Sequence, residues 1–413
     1  MQSSNRFVKA TFDIEEIVIG KHLASSSACD VHDIDAFRQI NYVRGQVDES
    51  NGFARDFLAR QSRIGCCEES RYVIKVLRED CDDFVSAAAN MAVEAEILAA
   101  VEHPNIIKLR GIPLGGVGGA DSEYSTMSDS YFLVLDKVME TLQDHRIETW
   151  RKQDARLKHP ALKAMIDKRG LKGRHLFLER LQAAADLASA IEHIHICNYM
   201  HRDIEPGNIG FDLRGYLKLL DFDVATKIPS AENAIIYNLE ERRYDVRKLP
   251  YMSPEAFEGK EQSKSSDVYS FAIVFYLMLS LEKPFRWIDP HTFGMRIIEN
   301  GERPVINTTW SPSIQHLLKR AWDPNERMRP SMMHIRQILN EELRAAMGSR
   351  LSIDLESSLC GRLDRRQSLK GTLLPSAVSK GQEPLSTTFA AKIYSKSRST
   401  SPLRSCAKSS SPA

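Results

Sequence analysis

Two short apolar runs near the start of the chain have strand character. Tyr72-Val73-Ile74-Lys75-Val76-Leu77 and Tyr131-Phe132-Leu133-Val134-Leu135 are rich in β-branched and aromatic residues and are too short to be helices. Between them, Phe84 to Val101 carries apolar residues at helical spacing. From Met139 onward the period is mainly helical, most clearly from Leu176 to Ile196. The longest apolar run, Val268 to Leu281, is too short for a bilayer and contains Ser270, Ser280 and two tyrosines, so it predicts a buried helix. Strands followed by helices predict an α+β chain in two lobes, about 12–138 and 139–347. After Gly348 the pattern stops. That stretch holds 16 serines and two aromatics, too little apolar surface to fold alone, and is expected to be a disordered tail, 348–413.

Two stretches interrupt this plan and predict insertions, about 42–70 and 145–175. The first contains Arg60, Arg63, Cys66 and Cys67 where hairpin loops usually need ~2–5 residues. The second holds ten Lys/Arg against Glu148, Asp154 and Asp167. It is either a solvated loop or a docking surface for an acidic partner or substrate.

Charge sharpens the division. The net charge is +1, which gives no global case for nucleic-acid or membrane binding. From Gly348 on, 11 Lys/Arg face 4 Asp/Glu, so the tail is +7 and the remainder −6. The basic tail is a second candidate for acidic partners, and Arg365-Arg366-Gln367-Ser368 within it resembles a target of basophilic kinases. The seven cysteines are odd in number and show no C-x-x-C spacing, which fits reduced thiols in the cytoplasm or nucleus. Met1-Gln2-Ser3-Ser4-Asn5 has no apolar signal core, and a soluble protein without membrane insertion is expected.

Candidate chemistry centres on Tyr199-Met200-His201-Arg202-Asp203-Ile204-Glu205-Pro206-Gly207-Asn208, with Asp221-Phe222-Asp223 beginning thirteen residues after Asn208. An acid, an amide five residues on, and a second acid after a short apolar strand make the arrangement that phosphoryl transfer on Mg-ATP needs. One carboxylate orients the attacking hydroxyl, while the amide and the other carboxylate hold metal. The sequence resembles the catalytic loop and metal-binding motif of eukaryotic protein kinases. Further motifs come in the expected order. Tyr251-Met252-Ser253-Pro254-Glu255 resembles A-P-E, Ser266-Asp267-Val268-Tyr269-Ser270-Phe271 resembles D-V-W-S-F-G, and Arg329 precedes Pro330. The wording is most similar to the tyrosine-kinase-like serine/threonine group.

The resemblance implies a bilobal kinase fold over 1–347, with a β-rich N-lobe and a helical C-lobe. It also implies the roles. Asp203 is the base, Asn208 and Asp221 hold Mg²⁺, and Lys75 grips the ATP phosphates while paired with Glu94. Leu135, Asp136 and Val138 lie where kinases bind ATP after the last N-lobe strand. Arg202 is the cation that in many kinases receives an activation-loop phosphate, with Thr226, Ser230, Tyr237 and Tyr244 available between Asp221 and Glu255. Glu255 and Arg329 form a buried structural ion pair. His193 and His195 lie among isoleucines on one helix and belong to the core.

Three departures bear on activity. The glycine-rich loop spacing falls on Ala24, Ser26, Cys29 and Val31, so each loop glycine is replaced. Side chains there obstruct the approach of backbone N–H groups to phosphate and weaken nucleotide binding. Glu205 stands where serine/threonine kinases carry Lys, and Lys248 stands where its threonine partner is expected. The two either neutralise each other or are unrelated drift in a decayed site. Asp223 replaces the glycine of D-F-G and adds negative charge beside the metals. The expected function is Mg-ATP-dependent phosphorylation of protein Ser/Thr hydroxyls with weakened nucleotide binding. The alternative is a pseudokinase acting as a binding or allosteric module.

Overall fold

The structure, a computed structural model, describes residues 9–38, 49–62, 70–118, 131–228, 247–286 and 288–348. Arg63, Cys66, Cys67, Ser230, Tyr237, Tyr244 and the tail after Gly348 lie outside the described residues.

The N-lobe is a six-stranded sheet. Its strands are β1 (Ala10–Phe12), β2 (Ile17–Ser25), β3 (Cys29–Phe37), β4 (Tyr72–Leu77), β5 (Leu109–Pro113) and β6 (Phe132–Asp136), ordered β1-β5-β6-β4-β3-β2. Only β1 pairs in parallel, Ala10 opposite Gly111. Lys75 on β4 faces Val31 on β3 and Leu133 on β6, which fixes its place at the centre of the sheet. Alternation along the strands sends Ile34, Ile74, Phe132 and Val134 to one face, where they form a small core with Phe12 and Leu58.

Leu58 belongs to a helix, α1 (Glu49–Gln61), which occupies the middle of the first predicted insertion. The segment is therefore more than an extended loop. Asn51 Oδ1 accepts from the Thr11 N–H at 2.8 Å, and Asn51 Nδ2 donates to Thr11 Oγ1 at 2.7 Å. The Arg55 guanidinium pairs with the buried Glu16 and lies 5.4 Å from the centre of the Phe12 ring. The helix thus covers β1 and the outer sheet face.

On the other face lies α2 (Phe84–Ala100), capped by Asp83, whose carboxylate accepts from the Ser86 N–H. Two short strands, β7 (Glu140–Thr141) and β8 (Tyr199–Met200), enter the C-lobe, whose main elements are α3 (Ile147–Lys158), α4 (Pro160–Ile166) and α5 (Leu171–Ile196). After α5 come β9 (Ile209–Phe211), β10 (Leu217–Leu219), β11 (Thr226–Lys227), α6 (Pro254–Phe257), α7 (Lys264–Ser280) and α8 (Pro312–Ala321), then a last helix, α9, over 332–348. The apolar run Val268 to Leu281 is the buried core of α7 as expected, and no helix among the described residues is long and apolar enough to cross a membrane.

The second predicted insertion is helical, which corrects the solvated-loop reading. Trp150 is 1% exposed and its Nε1 donates to Glu179 at 3.1 Å, so α3 is anchored in the core. Only part of the basic set faces outward: Arg156 and Lys158 are exposed, whereas Arg146 turns inward onto the Phe211 ring, 4.3 Å from its centre.

Candidate active site

Lys75 is the hub of the cleft between the lobes. Its Nζ lies 2.7 Å from Glu94 Oε2 on α2 and 2.7 Å from Asp221 Oδ1. Three sequence-distant residues therefore meet at one ammonium. Glu94 also accepts from the Phe222 N–H at 3.2 Å, so α2 holds the segment that carries Asp221. Burial alone lowers the Lys75 pKa, but Asp221 and Glu94 outweigh it and keep the ammonium well above its ordinary value. Burial raises the Asp221 pKa, and Lys75 more than reverses it, so this carboxylate titrates below its ordinary value. Asp221 has φ of +56°, a left-handed conformation that a non-glycine residue adopts only when its surroundings hold it there.

The catalytic-loop residues are set by a buried carboxylate on α7. Asp267 is 1% exposed and accepts from the His201 N–H at 3.0 Å, the Arg202 N–H at 2.8 Å and His195 Nε2 at 2.8 Å. Burial raises its pKa, and the hydrogen bond and charge of His195 bring it below the usual carboxylate range. Arg202, at φ of +68°, is held in the left-handed region by this clamp. Asp267 stood in the sequence only as part of a motif. Its role as the clamp of the loop was not legible there, although its place directly after two serines at a helix start was a signal.

Asp203 projects beyond that clamp. Asn208 Nδ2 donates to the Asp203 carbonyl at 3.0 Å and to Asp203 Oδ2 at 2.9 Å, closing the five-residue loop predicted from the sequence. The Leu220 N–H donates to the Asn208 carbonyl at 2.9 Å, which puts Asn208 beside the residue preceding Asp221.

Lys248 enters from the other side of the cleft. Its Nζ donates to Asp203 Oδ2 at 2.6 Å and stands 3.7 Å from Glu205 Oε1. Lys248 and Glu205 are indeed neighbours, but the tighter partner of Lys248 is Asp203, which the sequence did not reveal. Burial lowers the Lys248 pKa, while Asp203 and then Glu205 raise it above the ordinary lysine value.

Asp223 does not adopt positive φ, so loss of the glycine strains nothing. Burial, and then the Asp221 charge, push its pKa up to about 7. The donor set of Asn208 and Asp221 offers hard oxygen ligands of the kind Mg²⁺ takes, in a cleft with surplus carboxylates. The residues present fit a metal-nucleotide.

The hairpin joining β2 and β3 covers the cleft. Ala24 pairs with Val31, and the turn begins at Ser26. Ser26 Oγ accepts from the N–H groups of Ala28 at 3.3 Å and Cys29 at 2.9 Å. These are backbone donors of the kind a glycine loop turns toward phosphate. Ala24 and Ser26 are exposed, Val31 is half-buried, and Cys29 is buried, its thiol pushed up to about 12 by burial. Leu135 is buried at the end of β6, and Val138 packs against Gly210. The Asp136 carboxylate is held by Arg110 at 2.7 and 2.9 Å. Glu255 and Arg329 form the expected buried pair, at 2.7 and 2.9 Å, with Ser266 Oγ donating to Glu255 at 2.7 Å.

A two-lobed fold with this lysine, glutamate and aspartate convergence defines a protein kinase domain. The chain belongs to the protein kinase domain family, whose pattern matches residues 64–342, more than half of its length. It is similar to the serine/threonine-protein kinase STY17 of Arabidopsis thaliana, 27% identical over 164 residues, covering 40% of this chain and 27% of that protein. It is 26% identical over 161 residues to the serine/threonine/tyrosine-protein kinase HT1 of Arabidopsis thaliana, covering 39% of each chain. With mitogen-activated protein kinase kinase kinase 7 of Drosophila melanogaster it shares 25% identity over 315 residues, 71% of this chain and 40% of the relative. The chain thus spans about a quarter to two-fifths of the length of these relatives.

Proposed function

We propose that this protein transfers the γ-phosphoryl group of Mg-ATP to Ser or Thr hydroxyls of protein substrates, in the cytoplasm or nucleus. One observation carries the reading: Lys75 lies 2.7 Å from both Glu94 and Asp221, the pairing that positions a phosphate-binding lysine. The similarity to serine/threonine-protein kinases supports the hydroxyl class.

When bound, Mg-ATP supplies the transferable phosphoryl group and the metal charge that neutralises its oxygens. Asn208 and Asp221 would hold the metal, and Lys75 would hold the phosphates. Asp203 orients the substrate hydroxyl and takes its proton at a carboxylate oxygen, with Asn208 and Lys248 fixing its rotamer. Lys248 sets a positive charge beside Asp203 where most serine/threonine kinases rely on the residue at the Glu205 position. Nucleotide binding is weakened by the Ser26 turn, whose N–H groups must exchange an internal partner for phosphate.

That same turn favours a second reading, a pseudokinase that uses the fold for binding. Calorimetry with Mg-ATP and a phosphotransfer assay on peptide pools separate the two. The enzyme reading expects Asp221→Asn to lose nucleotide binding. It also expects Asp203→Asn to bind Mg-ATP but transfer nothing. Wild-type protein that binds Mg-ATP and phosphorylates no substrate would favour the pseudokinase.

A further inference from the structure

Helices α3 and α4 and the first two turns of α5 line an open groove of about 330 Å³ on the C-lobe, away from the catalytic cleft. Its floor is apolar, made by Leu157, Ile166 and Leu176, and its rim carries Arg156, Lys172 and His175. Apolar surface continues beyond the rim, where Met165 is 71% exposed and Leu171 45%. An apolar floor under a cationic rim fits a segment that combines aliphatic and acidic side chains.

The fold brings the end of α9 to the start of α5. Arg174, between Lys172 and His175 in sequence, donates through Nε to the Ala346 carbonyl at 2.7 Å. Gly348, at φ of +62°, packs so closely that a Cβ there would stand 3.0 Å from Arg174 Nη2. The chain therefore leaves the described fold beside the start of α5, the helix that also carries Lys172 and His175 of the rim.

The segment just beyond Gly348 has the complementary chemistry. Leu351-Ser352-Ile353-Asp354-Leu355-Glu356-Ser357-Ser358-Leu359 holds four aliphatic residues, two carboxylates and no cation, in a tail that is otherwise strongly basic. From Gly348, Leu351 is three residues away, a reach of about 10 Å for extended chain. A tether that short gives an effective concentration on the order of millimolar, so a weak contact suffices for occupancy.

We propose that Leu351–Leu359 docks intramolecularly in this groove, its aliphatic side chains on the Leu157, Ile166 and Leu176 floor and its carboxylates toward Arg156 and Lys172. The tail is then anchored at its root, and only the basic part beyond is free for partners.

Amide hydrogen exchange on the full chain tests this. The wild type is compared with Leu351→Asp/Ile353→Asp/Leu355→Asp, whose substitutions lie outside the described fold, with circular dichroism verifying that both are folded. Exchange across 157–176 should speed up about fivefold or more in the variant. Arg156→Glu/Lys172→Glu should have a similar effect, and adding Asp354→Lys/Glu356→Lys to it should restore protection. Equal exchange in wild type and tail variant would overturn the proposal, whether the groove is open in both or covered in both by another occupant. Protection that vanishes on dilution would also overturn it, since the occupant would then be the tail of a second copy.

Discussion

Lys248 Nζ lies 2.6 Å from Asp203 Oδ2, so the carboxylate at the base position carries its own cation. The Lys248 side chain is 40% exposed while that of Asp203 is 14% exposed, so the ammonium reaches inward from the cleft wall. The same ammonium is 3.7 Å from Glu205 Oε1. A positive charge usually supplied from the catalytic loop has, in effect, moved across the cleft, and a negative one has taken its former place. At an effective dielectric near 20, an unpaired Glu205 about 4 Å from a phosphate charge would cost on the order of 4 kcal/mol. Lys248, shared between Asp203 and Glu205, offsets part of that.

Substitution at these two positions should be strongly non-additive. Lys248→Thr removes the cation that Asp203 and Glu205 share, and should lower kcat/KM by an order of magnitude or more. Glu205→Lys crowds two ammonium groups. Glu205→Lys/Lys248→Thr restores the common arrangement and should recover transfer. A coupling energy above about 0.5 kcal/mol in the kinetic cycle is the expected result, because residues sharing a network couple by at least that much. Additive effects would show that the two positions act independently.

The Glu255–Arg329 pair should matter for folding rather than chemistry. Both side chains are almost fully buried, Arg329 also donates to the Ser265 carbonyl at 2.9 Å, and Glu255 accepts from Ser266. Burial raises the Glu255 pKa, and the Arg329 hydrogen bond and charge bring it below its ordinary value. Arg329→Ala leaves a buried carboxylate unpaired and should cost roughly 3–5 kcal/mol, read as a drop in the denaturation midpoint. An unchanged midpoint would mean the carboxylate finds water or another partner.

These two pairs mark what the sequence could and could not reveal. Glu255–Arg329 was legible because both residues sit inside motifs with fixed spacing. Lys75, Glu94, Asp203, Asn208 and Asp221 were legible for the same reason, and the geometry brings all five into one cleft. The Asp203–Lys248 contact was not, because the two residues lie 45 positions apart and share no motif that fixes their spacing. The edge strand β1 was missed because three residues, Ala10–Phe12, are too few for a periodic signal. Helix α1 was missed because Glu49–Gln61 is polar overall and is fixed by tertiary contacts, Asn51 to Thr11 and Arg55 to Glu16. The Arg110–Asp136 pair was not legible because its members lie on neighbouring strands, 26 residues apart.

Cys29 tests whether the cleft hairpin is packed as described. It is 7% exposed and its thiol is pushed up to about 12 by burial. At pH 8 the thiolate fraction is then on the order of one in ten thousand, against roughly a quarter for an ordinary thiol near 8.5. Iodoacetamide should leave Cys29 unlabelled in folded protein for hours and label it readily in denaturant, as peptide mass mapping would show. Rapid native labelling would mean that the hairpin opens.

Ser26 is the position at which the proposed weakening of nucleotide binding can be tested. Its Oγ accepts from two backbone N–H groups, Ala28 and Cys29, and donates to the Cys29 carbonyl at 3.2 Å, so the turn is closed on itself. Phosphate oxygens can use those donors only if the serine lets go, and giving up one such internal bond costs about 0.5–1.5 kcal/mol. Ser26→Gly removes the competing acceptor and the Cβ together. It should tighten Mg-ATP binding by about three- to tenfold in calorimetry, equivalent to about 0.6–1.4 kcal/mol. Ser26→Thr keeps the hydroxyl and should leave affinity near the wild-type value. If Gly and Thr behaved alike, the turn would not touch the phosphates.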